Sequence, residues 1–298
     1  MKKKKKNFYL NNLKSILEKA PKKMNEPFFT NDEFNYLKNC VKNKSVSTYG
    51  KEVREFENLT SKILKTKSTI ALSSGTSALH MAMYALNINN NHEILVPSIT
   101  FVATVNAIIY CGATPHFIDI NLKDLNIDCD KLENYLIKNT IIKNNKCINK
   151  KTNKIIKAIV PVHVYGISVD FEKLKKIVKK FKLKIIEDAA EAFGSKFKGK
   201  SVGTYGDIGV FSFNGNKIIT TGSGGLIVTK NIKLEKKIRH IISQAKVKTK
   251  NDVYSDEIGF NLKMSALSAA LGLAQLKKIQ QILRKKKSLH NYYLKSFK

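Results

Sequence analysis

The stretch 183-LKIIEDA-189 reads as a short apolar strand that ends on two acids, Glu187 and Asp188. Four further stretches have the same form: 69-TIALSS-74, 93-EILVPS-98, 114-TPHFIDI-120 and 157-KAIVPVHV-164. Between them lie segments of helical pattern, such as 75-GTSALHMAMYAL-86 and 100-TFVATVNAIIYC-111. Near-continuous apolar strands alternating with helices predict an α/β fold, a three-layer sandwich whose mostly parallel central sheet is covered on both faces. The helix 169-VDFEKLKKIVKKF-181 fits that picture. Phe171, Leu174, Ile177, Val178 and Phe181 fall at helical spacing, and Lys173, Lys175, Lys176, Lys179 and Lys180 form its solvated face.

Outward from this centre, Thr30, Asn31 or Asp32 is placed to cap a helix over 33-EFNYLKNCVKN-43. The stretch 51-KEVREFENLTSKIL-64 puts Val53, Phe56, Leu59, Ile63 and Leu64 on one helical face. Past residue 190 the pattern turns to short strands and Gly-rich turns, in 194-GSKFKGKSVG-203, 207-DIGVFSF-213 and 219-ITTGSGGLIVT-229. One long helix is expected over 264-MSALSAALGLAQLKKIQQILRKKK-287, its small-residue first half packed closely and its basic second half in solvent. The Lys- and Asn-rich run 138-KNTIIKNNKCINKKTNK-154 reads as a mobile surface insertion.

Composition narrows the function classes. With 298 residues and 43% hydrophobic side chains, the chain is built for a sizeable core and not for a disordered tail. Its net charge of +31 suggests a nucleic-acid or anionic-surface binder. Yet only Arg54, Arg239 and Arg284 are arginines, and the other 51 basic residues are lysines. Bidentate contacts to phosphate and guanine rely on arginine, and these lysines are scattered among Asn and Ile, as in 87-NINNN-91, so no nucleic-acid partner is expected. Cys40, Cys111, Cys129 and Cys147 stand far apart with no His at ligand spacing, which indicates neither a metal site nor a disulfide framework. The lysine-rich start is followed by polar 7-NFYLNNLKS-15, and the chain lacks a run of about 18 apolar residues. A cytoplasmic protein with no membrane partner is the expectation.

Three features carry chemistry. In 73-SSGTSAL-79 a strand breaks at Gly75 and a helix opens at Thr76; the free N–H groups of such a junction accept a phosphate, although the same residues also serve as a plain helix cap. In 185-IIEDAAE-191 the acids stand at the carboxyl end of a strand, where open α/β sheets place their sites; there they hold a metal or a cationic ring, or cap a helix. In 211-FSFNGNKIITTGSGG-225, Lys217 has apolar neighbours and a Gly-rich turn but no adjacent lysine. A partly desolvated lysine of this kind forms a Schiff base with an aldehyde, whereas an ordinary surface lysine does nothing. Taken together, a phosphate cradle, a carboxylate for a pyridine nitrogen and a lysine for an aldehyde describe a site for pyridoxal 5′-phosphate (PLP).

The segments 72-LSSGTSALHMAMYAL-86, 97-PSITFVATVNAI-108, 187-EDAAEAFGSKFKGKSVGTYGDIGVFSF-213 and 258-IGFNLKMSALSAALGLAQL-276 resemble the DegT/DnrJ/EryC1/StrS family of nucleotide-sugar aminotransferases, over about residues 24 to 285. The resemblance implies a fold-type I PLP-dependent transferase large domain. Within the family, 45-SVSTYGKEVREFE-57 and 212-SFNGNKIITTGSGG-225 are most similar to the branch that aminates C4 of UDP-linked 4-keto-6-deoxy-N-acetylhexosamines. It further implies that Lys217 is the Schiff-base lysine and proton shuttle, and that Asp188 pairs with the pyridinium nitrogen. Gly75, Thr76 and Ser212 would bind the cofactor phosphate, Phe101 would stack on the ring, and His163 and Glu191 would lie beside it.

Asn261 matches a residue that reaches the phosphate of the other subunit, which implies a homodimer with active sites at the interface. L-Glutamate and a UDP- or dTDP-linked keto sugar are the implied substrates. The family more often has Gln at the position of Glu191, and Arg at that of Lys263. The implied domains are an N-terminal helical segment over 1–45, a PLP-binding large domain over 46–262, and a connecting helix with a remnant of a small domain over 263–298, the C-terminal small domain being largely missing. A PLP-binding remnant, or one chain of a split enzyme with little activity alone, is the alternative. A sugar dehydratase of the same family carries His at the Schiff-base position, and Lys217 speaks against it.

Overall fold

The structure is a computed structural model that describes residues 26–296 together with Asn11 and Lys14. The lysine-rich start over residues 1–6 lies outside the described residues, as does most of the polar stretch after it.

In chain order the described elements begin with helices α1 (Asn31–Lys42) and α2 (Lys51–Leu64), strand β1 (Ser68–Leu72), α3 (Gly75–Ala85), β2 (His92–Pro97), α4 (Val102–Tyr110) and β3 (Thr114–Ile118). Next come α5 (Cys129–Asn139), β4 (Thr140–Lys143), β5 (Lys146–Asn149), β6 (Ile155–Ile159), α6 (Phe171–Phe181), β7 (Lys184–Asp188), β8 (Lys196–Phe197) and β9 (Lys200–Ser201). The series ends with β10 (Ile208–Ser212), β11 (Gly225–Thr229), α7 (Ile232–Ile241), β12 (Lys246–Lys248), β13 (Val253–Ser255), α8 (Ala266–Lys277) and α9 (Ile279–Ser296).

The main sheet runs β1-β11-β10-β7-β6-β2-β3, and the β4–β5 hairpin joins it along β6. From β10 to β3 every neighbouring pair is parallel, while β11 is antiparallel to both β1 and β10. The alternation of side chains along each strand feeds two apolar layers. On one face Ile70, Leu72, Ile94, Val96, Val210 and Ile227 pack with Leu79 and Met83 of α3 and Ile238 of α7. On the other, Ala71, Phe211 and Leu226 pack with Phe56 of α2 and Leu273 of α8, and Leu95, Ile159 and Ile185 pack with Leu132 of α5 and Leu174 of α6. This is the three-layer α/β sandwich the sequence predicts. Thr30 caps α1 and closes a capping box with Glu33.

Two local expectations need correction. The run 138–154 is an ordered hairpin and not a mobile insertion: Cys147 and Ile148 pair with Ile156 and Ile155 of β6. The buried Glu93 fixes it from below, accepting hydrogen bonds from Asn149 Nδ2 (2.8 Å) and Thr152 Oγ1 (2.6 Å). The expected long helix over 264–287 is two helices, because the backbone leaves the helical region at Lys278 (φ −98°, ψ 0°). Tertiary ties explain the break. The Lys278 ammonium pairs with buried Glu33 and donates to Thr30 Oγ1 (2.8 Å), and Gln275 Nε2 donates to the Phe28 carbonyl (2.9 Å).

Among the described residues no helix is long and apolar enough to cross a membrane. One of the three arginines is used inside the fold: Arg239 pairs with Glu57 at 3.1 Å and with Glu235 at 3.0 Å. The four cysteines are free.

Candidate active site

At the carboxyl ends of β7 and β10 a cavity of about 530 Å³ opens, and eight of the residues singled out in the sequence line it: Gly75, Thr76, Phe101, His163, Asp188, Glu191, Ser212 and Lys217. Asn261 is not among the lining residues; it is exposed and bridges Ser243. Lys263 also stands apart, its ammonium 4.8 Å from the centre of the Tyr49 ring.

One wall is the start of α3. Ser74 caps it by accepting from Ser77 N at 3.0 Å, so the preceding N–H groups, those of Gly75 and Thr76, belong to a first turn that has no intrahelical acceptor. Gly75 has a steric reason to be glycine. A Cβ there would stand 2.8 Å from Ser212 Cβ and 3.0 Å from Ser212 Oγ, so only a bare backbone lets the helix end and the serine hydroxyl share one cradle.

The floor is Asp188, the last residue of β7 and 4% exposed. Its Oδ2 accepts from Thr104 Oγ1 at 2.6 Å and its Oδ1 from Ala190 N at 3.1 Å. Burial pushes its pKa above the ordinary carboxylate value, while these hydrogen bonds and the nearby His163 and Lys217 pull the other way. No cation among the described residues contacts this carboxylate within ion-pair distance, so a buried acceptor faces the cavity ready for a cationic ring nitrogen.

Lys217 lies in a turn held by its own N–H on the Asn214 carbonyl (3.0 Å) and by Thr221 N on the Phe213 carbonyl (3.0 Å). Its side chain is 19% exposed, against 54% for Lys173 and 52% for Lys180 on the solvated helix face. Its Nζ donates to Glu191 Oε1 at 3.3 Å, and Glu191 Oε2 accepts from Tyr165 N at 2.9 Å. Tyr165 sits at φ 51°, a left-handed turn that this carboxylate secures. Phe101 stands at the mouth, 75% exposed.

Sequence reasoning missed Thr104 and did not separate the part played by Glu187 from that of Asp188. Thr104, fully buried, orients Asp188 and is itself approached by Thr100 Oγ1 at 2.9 Å. Its four-residue spacing from Thr100 is the one signal available. Glu187, adjacent to Asp188 but facing the opposite side of the strand, accepts N–H bonds from Gly203, Tyr205 and Gly206, each at 2.6 Å, and meets His163 Nε2 at 3.3 Å. It shapes the loop beneath His163.

The cradle at Gly75 and Ser212, the buried acceptor Asp188 and the half-buried amine of Lys217 fit the phosphate, ring nitrogen and aldehyde of pyridoxal phosphate. Known proteins resemble the chain in sequence and fold. A GDP-perosamine synthase of Escherichia coli O157:H7 is 38% identical over 271 residues, covering 91% of this chain and 70% of that protein. Helicobacter pylori PseC, an aminotransferase involved in the biosynthesis of pseudoaminic acid, superimposes with a TM-score of 0.76 at 32% identity, over 87% of this chain and 66% of that one. Streptococcus pneumoniae Spr1654, solved in its PLP form, gives a TM-score of 0.82 at 26% identity, over 92% of this chain and 71% of that one. The chain thus spans about two thirds of the length of the proteins it matches. The model of the DegT/DnrJ/EryC1/StrS aminotransferase family matches residues 27–298, and the chain belongs to that family.

Proposed function

We propose that the chain binds pyridoxal phosphate and transfers the amino group of L-glutamate to a keto group, at C4, of a nucleotide-linked 6-deoxy sugar. The observation that carries this reading is the single cavity in which a helix start, a buried carboxylate and a half-buried lysine converge. Likeness to a GDP-perosamine synthase and to PseC supports an amino-sugar product, with UDP, dTDP or GDP as the carrier.

When bound, pyridoxal phosphate supplies an aldehyde that condenses with amines and a ring that withdraws electrons. The residues divide the remaining work. The Gly75 and Thr76 N–H groups and the Ser212 hydroxyl hold the phosphate dianion at the positive end of α3. Asp188 keeps a proton on the ring nitrogen, and Thr104 aims its carboxylate. Once neutral and released from Glu191, Lys217 Nζ would take the proton from Cα of glutamate. Phe101 covers the ring face and excludes water from it.

A second copy of the chain completes the site. Asn261, exposed and outside its own cavity, is assigned to the phosphate of the other subunit. The exposed apolar side chains of α4, Val102, Ile109 and Tyr110, beside Phe101, supply a surface for that contact.

The test is a single turnover. Holoenzyme mixed with glutamate and no acceptor is expected to release one equivalent of 2-oxoglutarate per bound cofactor, and a panel of 4-keto and 3-keto nucleotide sugars then identifies the acceptor that restores the starting absorbance. Absence of 2-oxoglutarate contradicts the proposed reaction.

A further inference from the structure

Beside the cavity lies a second one of about 230 Å³, and the two meet at Tyr165, Glu191, Asn216 and Lys217, which line both. A molecule held at Lys217 therefore has an outlet into the smaller space. Its apolar wall comes from Phe28, from Ile218 beside Lys217 and from Ile282 of α9, and Lys286 of the same helix lines this second cavity alone. The wall is tied in place: Gln275 Nε2 donates to the Phe28 carbonyl at 2.9 Å, and the Lys285 and Lys278 ammonium groups stand 4.4 and 5.5 Å from the centre of the Phe28 ring.

Size and charge narrow the occupant. The volume lies below the about 300 Å³ at which drug-sized ligands begin to fit, which leaves a small molecule or one arm of a larger one. Two lysines, Lys217 and Lys286, and two acids, Glu26 and Glu191, line it, so there is no large excess of positive charge to hold a diphosphate. Glu191 is engaged by Lys217 Nζ and Tyr165 N. Among the described residues no carboxylate lies within ion-pair distance of Lys286 or of its helix neighbours Arg284, Lys285 and Lys287. This run of cations draws a small carboxylate toward the cavity, and Lys286 is the one that lines it.

We propose that the second cavity is the subsite for the side chain of the donor amino acid, with Lys286 receiving its terminal carboxylate. The proposal rests on the amino-transfer reading above, in which Lys217 works at Cα of the donor. The apolar wall suits the two methylene groups of glutamate, and the Lys286 ammonium suits its γ-carboxylate.

Cofactor-loaded protein is mixed with L-glutamate and, separately, with L-norvaline, which has the same length and a methyl group in place of the γ-carboxylate, and formation of the 2-oxo acid is timed. A partly exposed ion pair contributes up to about fivefold, so Lys286→Gln is expected to slow glutamate about fivefold and leave norvaline unchanged. Lys287→Gln, one residue along the helix and outside the cavity, is expected to change neither. Calorimetry with glutarate and butyrate adds a readout independent of turnover: the loaded protein is expected to bind glutarate about fivefold more tightly, and Lys286→Gln to bind the two alike. An equal loss for glutamate and norvaline in Lys286→Gln, a loss for neither, or no preference for glutarate in the unaltered chain overturns the subsite. Failure of both amino acids to yield a 2-oxo acid overturns amino transfer instead, and the glutarate preference then still decides whether Lys286 receives a carboxylate.

Discussion

Thr104 Oγ1 donates a 2.6 Å hydrogen bond to Asp188 Oδ2, joining two buried side chains that are 84 residues apart in the chain. The bond fixes the orientation of the one carboxylate at the cavity floor, and the remainder of the site is arranged around it.

Thr104→Val keeps the shape of the side chain and removes the donor. A hydrogen bond to a charged group contributes about 1.5 kcal/mol or more, so PLP affinity is expected to fall by about tenfold, with Asp188 less favoured as an anion. Titration of the cofactor-free protein with PLP checks this; Thr104→Ser, which retains the hydroxyl, is expected to lie close to the unaltered chain.

Gly75→Ala places a methyl group 2.8 Å from Ser212 Cβ, and either the start of α3 or the Ser212 side chain must move. Because both are proposed to hold the phosphate, the loss is expected in affinity for PLP, by about tenfold or more, while glutamate turnover of the cofactor that does bind changes less. Equilibrium dialysis with PLP, compared with pyridoxal lacking the phosphate, measures it: the variant is expected to lose its preference for the phosphorylated form.

Glu33 ties α1 to the junction of α8 and α9, and its acidity makes the tie pH-dependent. Burial raises its pKa, but hydrogen bonds from Lys278, from Thr30 and from Gln275 outweigh burial and hold it at about 2. A carboxyl depressed in the folded state stabilises the fold above its unfolded value of 4.5, and that contribution is lost as pH falls toward 2. Glu33→Gln is therefore expected to unfold at lower denaturant than the unaltered chain at pH 7, with the gap closing as the pH is lowered through 4.5 and below. Urea titrations across that window decide it.

How much of this was legible in the sequence follows from how local each signal is. Asp188 was visible because an acid ends an apolar strand, and Lys217 because it is a lysine with no lysine neighbour in a chain crowded with them. Thr104 was not, because its partner is remote in sequence and its local pattern is that of any helix start. The division of labour between Glu187 and Asp188 was also hidden: adjacent strand residues face opposite sides, but only the tertiary fold shows that loop 203–206 waits on one side and a cavity on the other. The β4–β5 hairpin was misread because Lys and Asn dominate its surface, while the inward residues Cys147 and Asn149 are few and unremarkable in type. The break at Lys278 has no Gly or Pro to announce it; the ties to Glu33 and Phe28 set it.

The central claim is that Lys217 carries the cofactor, and borohydride reduction of the PLP-loaded protein tests it most directly. Reduction is expected to bleach the visible absorbance and leave a pyridoxyl group on the peptide containing Lys217, and Lys217→Ala is expected to show neither the reducible absorbance nor the label. A label on any other lysine in the unaltered chain, or a reducible chromophore persisting in Lys217→Ala, would contradict it.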